Sequence, residues 1–248
     1  MKHPLAAFIA ASIAACGFVA WRVYAMRHTT VSQYVTVYDP SRSFTGGCSA
    51  LVGSADAALR DPGVSASSTL SVLVLGDRAT AYEPRRLAVY PIPTDTKVIE
   101  GRYAGHIRQL ALLRNLRTRC EAVAPTLVSP IFLGVRQAIA ELHAEGCKAG
   151  SKCGLWVVTD LEETTNTAIR KKLEGQNNHV LPDPLDNRGI KVAFCGFADT
   201  VGGARAARVA GRAARLQRVW RQLFSVPSLV SFAPYCPDPV TASQGGGQ

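Results

Sequence analysis

Thr69-Leu-Ser-Val-Leu-Val-Leu75 is a near-continuous apolar run closed at once by Gly76-Asp77. A strand covered by helices on both faces must be apolar on both, so such a run marks a buried strand of a parallel sheet. Comparable runs follow at Leu87–Ile92, Leu155–Thr159, Ile190–Phe197 and Ser228–Phe232. Between them the spacing turns helical. Residues 103–122 place Ile107, Leu110, Ala111, Leu113 and Leu116 on one side, and Ser129-Pro130 opens a helix whose apolar face is Ile131, Val135, Ala138, Ile139 and Leu142. Further helices are expected at 162–174 and 204–224. Strands alternating with helices predict an α/β domain over 69–236, doubly wound, with a mostly parallel sheet and helices on both faces.

Outward from this core the chain becomes plainer. Residues 29–68 are rich in Ser, Thr, Gly and Ala and read as a linker, apart from Tyr34-Val-Thr-Val-Tyr38, which has the pattern of a short strand. Residues 237–248, ending in Gln-Gly-Gly-Gly-Gln, read as a disordered tail, and Gln176–Gly189 as an exposed loop.

The segment 1–28 decides the compartment. Pro4 to Trp21 carries no charge, with Lys2 before it and Arg22 and Arg27 after it. As a helix it would rise about 27 Å, enough to span a hydrocarbon core with Trp21 and Arg22 at the headgroups. An uncleaved anchor, a cleaved signal peptide and a lipoprotein acylated at Cys16 all remain open, although Gly17–Trp21 stays apolar where a mature lipoprotein turns polar. Membrane anchoring with the folded domain outside the cytoplasm is the expectation, without an orientation set by charge.

Apart from Cys16, six cysteines remain, an even number that suits an oxidising compartment. Cys147 and Cys153 flank the polar turn Lys148–Lys152 and are placed to form a disulfide, whereas Cys195 also reads as a small buried hydrophobe. No Cys-x-x-Cys pair exists and the five histidines are scattered, which speaks against structural zinc. Nucleophile-elbow, phosphate-loop, dinucleotide and His-Glu-x-x-His patterns are also absent.

In open parallel sheets ligands gather at the carboxyl ends of strands. Asp77 follows the 69–75 strand, Thr126 and Ser129 precede the Ser-Pro helix, and Asp160 follows Leu155–Thr159. Carboxylates and hydroxyls of this kind suit a hard cation such as Mg²⁺ or Ca²⁺. The arrangement resembles the von Willebrand factor A family. Its metal-ion-dependent adhesion site combines Asp-x-Ser-x-Ser after the first strand, a Thr opening a later helix and an Asp after a central strand. The likeness covers roughly 69–235, with Ser129 at the Thr position and Leu155–Asp160 as the strand ending in Thr-Asp. It implies metal ligands at Asp77, Thr80, Ser129 and Asp160. Two departures make that site degenerate: Ala79 and Ala81 occupy the motif serines, and Leu161 stands where the family usually has Gly.

Thr126, Glu162 and Glu163 are candidate partner contacts, the two glutamates fitting equally the first turn of a helix. Arg205, Arg208, Arg212 and Arg215 recur at helical spacing as a stripe for anionic ligands or simply as a solvated face. The net charge of +10 permits acidic partners. Nucleic acid is disfavoured, since neither aromatic platforms nor a known module accompany the arginines. These observations predict a membrane-anchored, von Willebrand factor A-like module of the bacterial cell envelope that binds or assembles proteins and is not an enzyme. The alternatives are a metal-dependent hydrolase or phosphatase using Asp77 and Asp160, or a basic module contacting nucleic acid or anionic lipid through the arginine helix.

Overall fold

The computed structural model describes residues 33–44, 46–60, 68–92, 99–151, 153–176, 178–197 and 204–236, with backbone alone at 99–105 and 204–210. The segment 1–28 with Cys16, the tail 237–248 and the side chains of Arg205 and Arg208 therefore lie outside the described residues. Among those described, no helix is long and apolar enough to cross a membrane.

Six described strands form one mixed sheet: β1 (Gln33–Tyr38), β2 (Thr69–Val74), β3 (Arg85–Pro91), β4 (Cys153–Val158), β5 (Ile190–Cys195) and β6 (Val230–Ala233), in the order β3-β2-β1-β4-β5-β6. Among them only β3 runs antiparallel to its neighbour. The described helices are α1 (Gly47–Leu59), α2 (Ile99–Glu121), α3 (Ile131–Ala144), α4 (Thr167–Leu173) and α5 (Ala204–Gln222). The α/β class read from the sequence is the one observed.

Alternation along the strands feeds two cores. Val35 and Val37 of β1 join Leu155, Val157, Val192 and Phe194 beneath Ile131 and Val135 of α3 and Trp220 of α5. Tyr34 and Tyr38 join Leu70, Val72 and Val74 on the opposite face, against Leu51 and Val52 of α1 and Leu113 and Leu116 of α2. A sheet covered on both faces needs apolar residues at both parities, which explains the near-continuous apolar runs in β2, β4 and β5, broken in β5 only by the exposed Lys191 and in β2 by Ser71.

Residues 29–68 depart most from the sequence expectation. Gln33–Tyr38 is a central strand, fully buried along its length and paired with β2 and β4. The stretch after it forms α1. This helix lacks a stripe of large apolar residues; it buries Gly53, Ser54, Ala55 and Ala58 beside Leu51 and Val52. Small side chains let it lie close on the sheet, and the Cys48–Cys120 disulfide ties it to α2. Neither device registers as hydrophobic periodicity.

All six described cysteines are paired. Cys147–Cys153 forms as expected, while Cys195, which also read as a lone buried hydrophobe, is bonded to Cys236. Gln176–Gly189 is only partly an exposed loop: Val180 is open to solvent, yet Leu185 is buried and Asn187 is fully buried, bonding the backbone of Val226 through both ends of its amide.

Among the described residues, one buried side-chain polar atom lacks a partner. Thr36 lies fully buried in β1, and its hydroxyl forms no hydrogen bond. An unsatisfied buried hydroxyl costs about 1–3 kcal/mol, so Thr36→Val, which keeps the shape and removes the polar atom, is expected to stabilise the domain by about 1 kcal/mol. Chemical denaturation of the two proteins measures this directly.

Candidate functional site

The sheet order places a topological switch between β1 and β4. From β1 the chain moves outward through α1 to β2, whereas β4 and β5 build the other half of the sheet. The crevice at the carboxyl ends of such strands is where α/β folds bind ligands. Asp39 is the first residue after β1, and Asp160 lies two residues beyond β4.

Asp39 opens Asp39-Pro40-Ser41-Arg42-Ser43, and its side chain is wholly buried. One carboxylate oxygen accepts from the Ser41 amide at 3.0 Å and from the Ser129 hydroxyl at 3.3 Å; the other accepts from Thr159 Oγ1 at 2.9 Å. The Ser41 and Ser43 hydroxyls stand 3.1 Å apart, and Ser43 bonds the Asp160 carboxylate. The Glu162 amide donates to Asp160 at 3.0 Å. Two carboxylates and three serine hydroxyls from three separate loops thus meet at one edge.

Backbone bonds hold these loops in register. Thr126 N donates to Pro40 O at 3.0 Å and Arg42 N to Thr126 O at 3.1 Å, which stitches the Asp39 loop to the segment entering α3. Ser129 N donates to Thr164 Oγ1 at 2.7 Å, and Thr164 N returns a bond to Ser129 O at 3.2 Å, joining that segment to the loop after β4.

The electrostatics follow from this crowding. Burial, reinforced by the nearby Asp160 charge, pushes the Asp39 carboxyl up to about 6. Burial also raises Asp160, against the opposing pull of its bonds from Ser43 and Glu162 and of the Arg212 guanidinium. Two carboxylates so placed resist ionising together, and a cation between them would remove the conflict. Among the described residues no group of three or more His, Cys, Asp or Glu side chains could hold a metal ion. Any cation here would be held through carboxylate and hydroxyl oxygens, the donor type of Mg²⁺ and Ca²⁺.

Of the ligands implied by the family resemblance, Ser129 and Asp160 are in this cluster; Asp77 and Thr80 are used differently. Asp77 follows β2, one strand away, and accepts the amides of Ala79 and Thr80 at 2.9 and 3.2 Å, while the Asp77 amide donates to Thr80 Oγ1 at 3.1 Å. That reciprocal cap closes the 3₁₀ turn Arg78–Thr80. Asp39, Ser41 and Ser43 are the residues that sequence reasoning misses. Their Asp-x-Ser-x-Ser spacing lies directly after Tyr34–Tyr38, in a stretch that reads as linker.

The loop after β4 also differs from the expected helix start at 162. Leu161 takes a left-handed conformation (φ +69°) while its side chain is fully buried, and its carbonyl accepts the Trp220 indole N–H at 3.0 Å. The helix begins only at Thr167, capped by Asn166. Glu163, a candidate partner contact, is buried and accepts from Phe132 N, Thr165 N and Thr165 Oγ1 at 2.7 Å each and from Asn166 N at 3.0 Å. It fastens the starts of α3 and α4, where the helix dipoles favour an anion. Glu163→Ala is expected to destabilise the domain by about 3 kcal/mol, because several buried donors lose their acceptor; a thermal melt checks it.

Glu162 pairs with Arg212 at 2.5 Å, and Thr126 donates to Val128 O at 2.8 Å. Arg212 and Arg215 line a cleft of about 740 Å³ together with Arg170 and with Glu162, Glu163 and Glu174. Acidic and basic residues are equal in number along that cleft, so the described part of the arginine stripe is largely offset.

No family model and no curated protein matches the chain. It is similar in structure to the manganese-loaded TRAP protein of Plasmodium vivax, with a TM-score of 0.40 and 10% identity over 84% of this chain and 70% of that one. An aerotolerance-related membrane protein from Bacteroides fragilis gives 0.38 and 12% identity over 82% and 90% of the two chains. BatB from Bacteroides thetaiotaomicron gives 0.36 and 12% over 83% and 91%. Likenesses this distant do not fix a family.

Proposed function

We propose that this chain is a membrane-anchored, von Willebrand factor A-like binding module, whose strand edge holds a divalent cation and presents it to an acidic group on a protein partner. The observation that carries this reading is the meeting of Asp39, Ser41, Ser43, Ser129 and Asp160 at the switch between β1 and β4. The residues fit a hard cation: every donor is an oxygen, and two mutually opposed carboxylates stand ready to be neutralised. A bound Mg²⁺ or Ca²⁺ would supply an electrophilic position open to a carboxylate.

The protein's own residues do the rest. Asp39 is fixed by the Ser41 amide and the Thr159 hydroxyl; the Thr126 backbone keeps the serine loop against the α3 entry; Glu163 anchors the loop that carries Asp160. Binding without turnover is assigned, on an arrangement built for coordination. Three disulfides support an oxidising compartment outside the cytoplasm, and the uncharged segment Pro4–Trp21 supports a tether to the membrane of the cell envelope.

The reading is tested with the full chain in detergent, passed over immobilised glutamate-bearing peptides in Mg²⁺ and then in a chelator. Retention that requires Mg²⁺ and is lost in Asp160→Asn is expected. Retention that is equal with and without the chelator would count against it.

A further inference from the structure

Phe44 follows the last serine of the cluster directly, and none of the oxygen donors accounts for its burial. Its amide donates to Ser41 O at 3.1 Å, closing a turn that carries both Ser41 and Ser43. The residue is only 7% exposed, and its ring meets the Tyr38 ring edge-on, with centroids 6.3 Å apart and planes at 73°. Tyr38 immediately precedes Asp39, so the ring folds the loop back onto the strand from which it emerges.

Two glycines lie close against the ring. A Cβ on Gly196 would lie 2.5 Å from Phe44 Cε2 and 3.4 Å from Cys236 Sγ; one on Gly46 would lie 2.4 Å from Phe44 Cζ. Gly196 also adopts φ +98°, a conformation open to glycine and strained for other residues. It follows Cys195, whose disulfide partner Cys236 brings its Sγ to the same point, 3.4 Å from that Cβ position. Gly196 thus meets two requirements, backbone angle and clearance, and the clearance is what leaves room for the Phe44 ring.

We infer that Phe44 is a positioning residue for the cation site, locked into a slot made by Gly196 and the Cys195–Cys236 disulfide, and that this lock sets where the Ser41 and Ser43 hydroxyls stand. The inference rests on the cation reading of the cluster. It assigns a role in affinity to residues that carry no donor and lie behind the ligands, as hydrogen-bonding partners outside a metal's own ligands commonly do.

The test titrates Mg²⁺ into the oxidised full chain in detergent for wild type, Phe44→Ala, Phe44→Leu and Gly196→Ala, beside thermal melts and amide exchange of the cation-free proteins. Phe44→Ala and Gly196→Ala are expected to weaken Mg²⁺ binding roughly 10- to 100-fold, the range seen when support behind a metal ligand is lost. Phe44→Leu should recover most of the affinity, since it refills the slot. In both weakened variants the amide of residue 44 should exchange faster while the melt still shows a folded domain. Wild-type affinity in Phe44→Ala and Gly196→Ala would overturn the inference. If wild type takes up no Mg²⁺, the cation reading fails by itself; the lock is then judged by exchange at the Phe44 amide, and an unchanged rate in Gly196→Ala overturns it.

Discussion

Replacing Asp39 with asparagine is expected to make the cation-free domain more stable while removing its response to Mg²⁺. Asp39 ionises near pH 6 in the fold against an ordinary value of 3.8, because it is buried beside Asp160. A carboxyl raised in this way favours the folded state when protonated. Its contribution is fully present below about pH 4 and is lost as pH rises through about 6. At neutral pH the folded domain therefore carries an ionised group it disfavours, at a cost of about 3 kcal/mol for the displacement. An asparagine side chain in its place would carry no charge and could still accept from the Ser41 amide. The Asp39→Asn variant should melt at a higher temperature in chelator, and the difference should shrink as pH falls from about 7 to about 4. With Mg²⁺ at about a hundred times its dissociation constant, wild type should gain about 2.7 kcal/mol and the variant nothing. Stability held back at a ligand cluster is the usual cost of keeping charges ready for a ligand.

The second large effect concerns the Cys48–Cys120 disulfide. It joins residues 72 apart in sequence, whereas Cys147–Cys153 spans 6. Closing a loop of that length removes denatured-state entropy worth about 4 kcal/mol, against about 2 kcal/mol for the short loop. The long bridge also ties α1 to α2, beside the buried cluster of Leu51, Val52, Leu113 and Leu116 and beside Asp56, which accepts from Gln109 at 2.9 Å. The double variant Cys48→Ala, Cys120→Ala should lose most of the stability, and Cys147→Ala, Cys153→Ala distinctly less. Denaturant midpoints of the two variants decide the order.

The parts of the fold legible in the sequence are those where burial demands large apolar residues. β2, β4 and β5 lie between two layers of helices, so their runs announce themselves, and α3 shows a full apolar face because it covers the sheet centre. β1 is just as buried, yet it carries Thr36 and lies between Ser- and Gly-rich stretches. The helix after it is built from Ala, Ser and Gly and held by a disulfide. Without β1 the count of strands shifts by one: Asp77 follows the second described strand, and the Asp-x-Ser-x-Ser spacing of Asp39, Ser41 and Ser43 lies one strand earlier. Ser129 and Asp160 are legible because a Ser-Pro helix start and a strand-end Asp are local signals. The burial of Glu163 is not, as one of its donors, Phe132 N, lies on a helix start some thirty residues away. Leu161 shows a different limit. A left-handed residue with a side chain buried in the core is decided by tertiary packing against Trp220, which local sequence does not encode.

The most direct measurement is a calorimetric titration of Mg²⁺ and Ca²⁺ into the full chain, beside Asp39→Asn and Asp77→Ala. The account predicts saturable binding of a divalent cation by wild type, its loss in Asp39→Asn and its retention in Asp77→Ala. Binding that survives Asp39→Asn, or no binding by wild type, would contradict it.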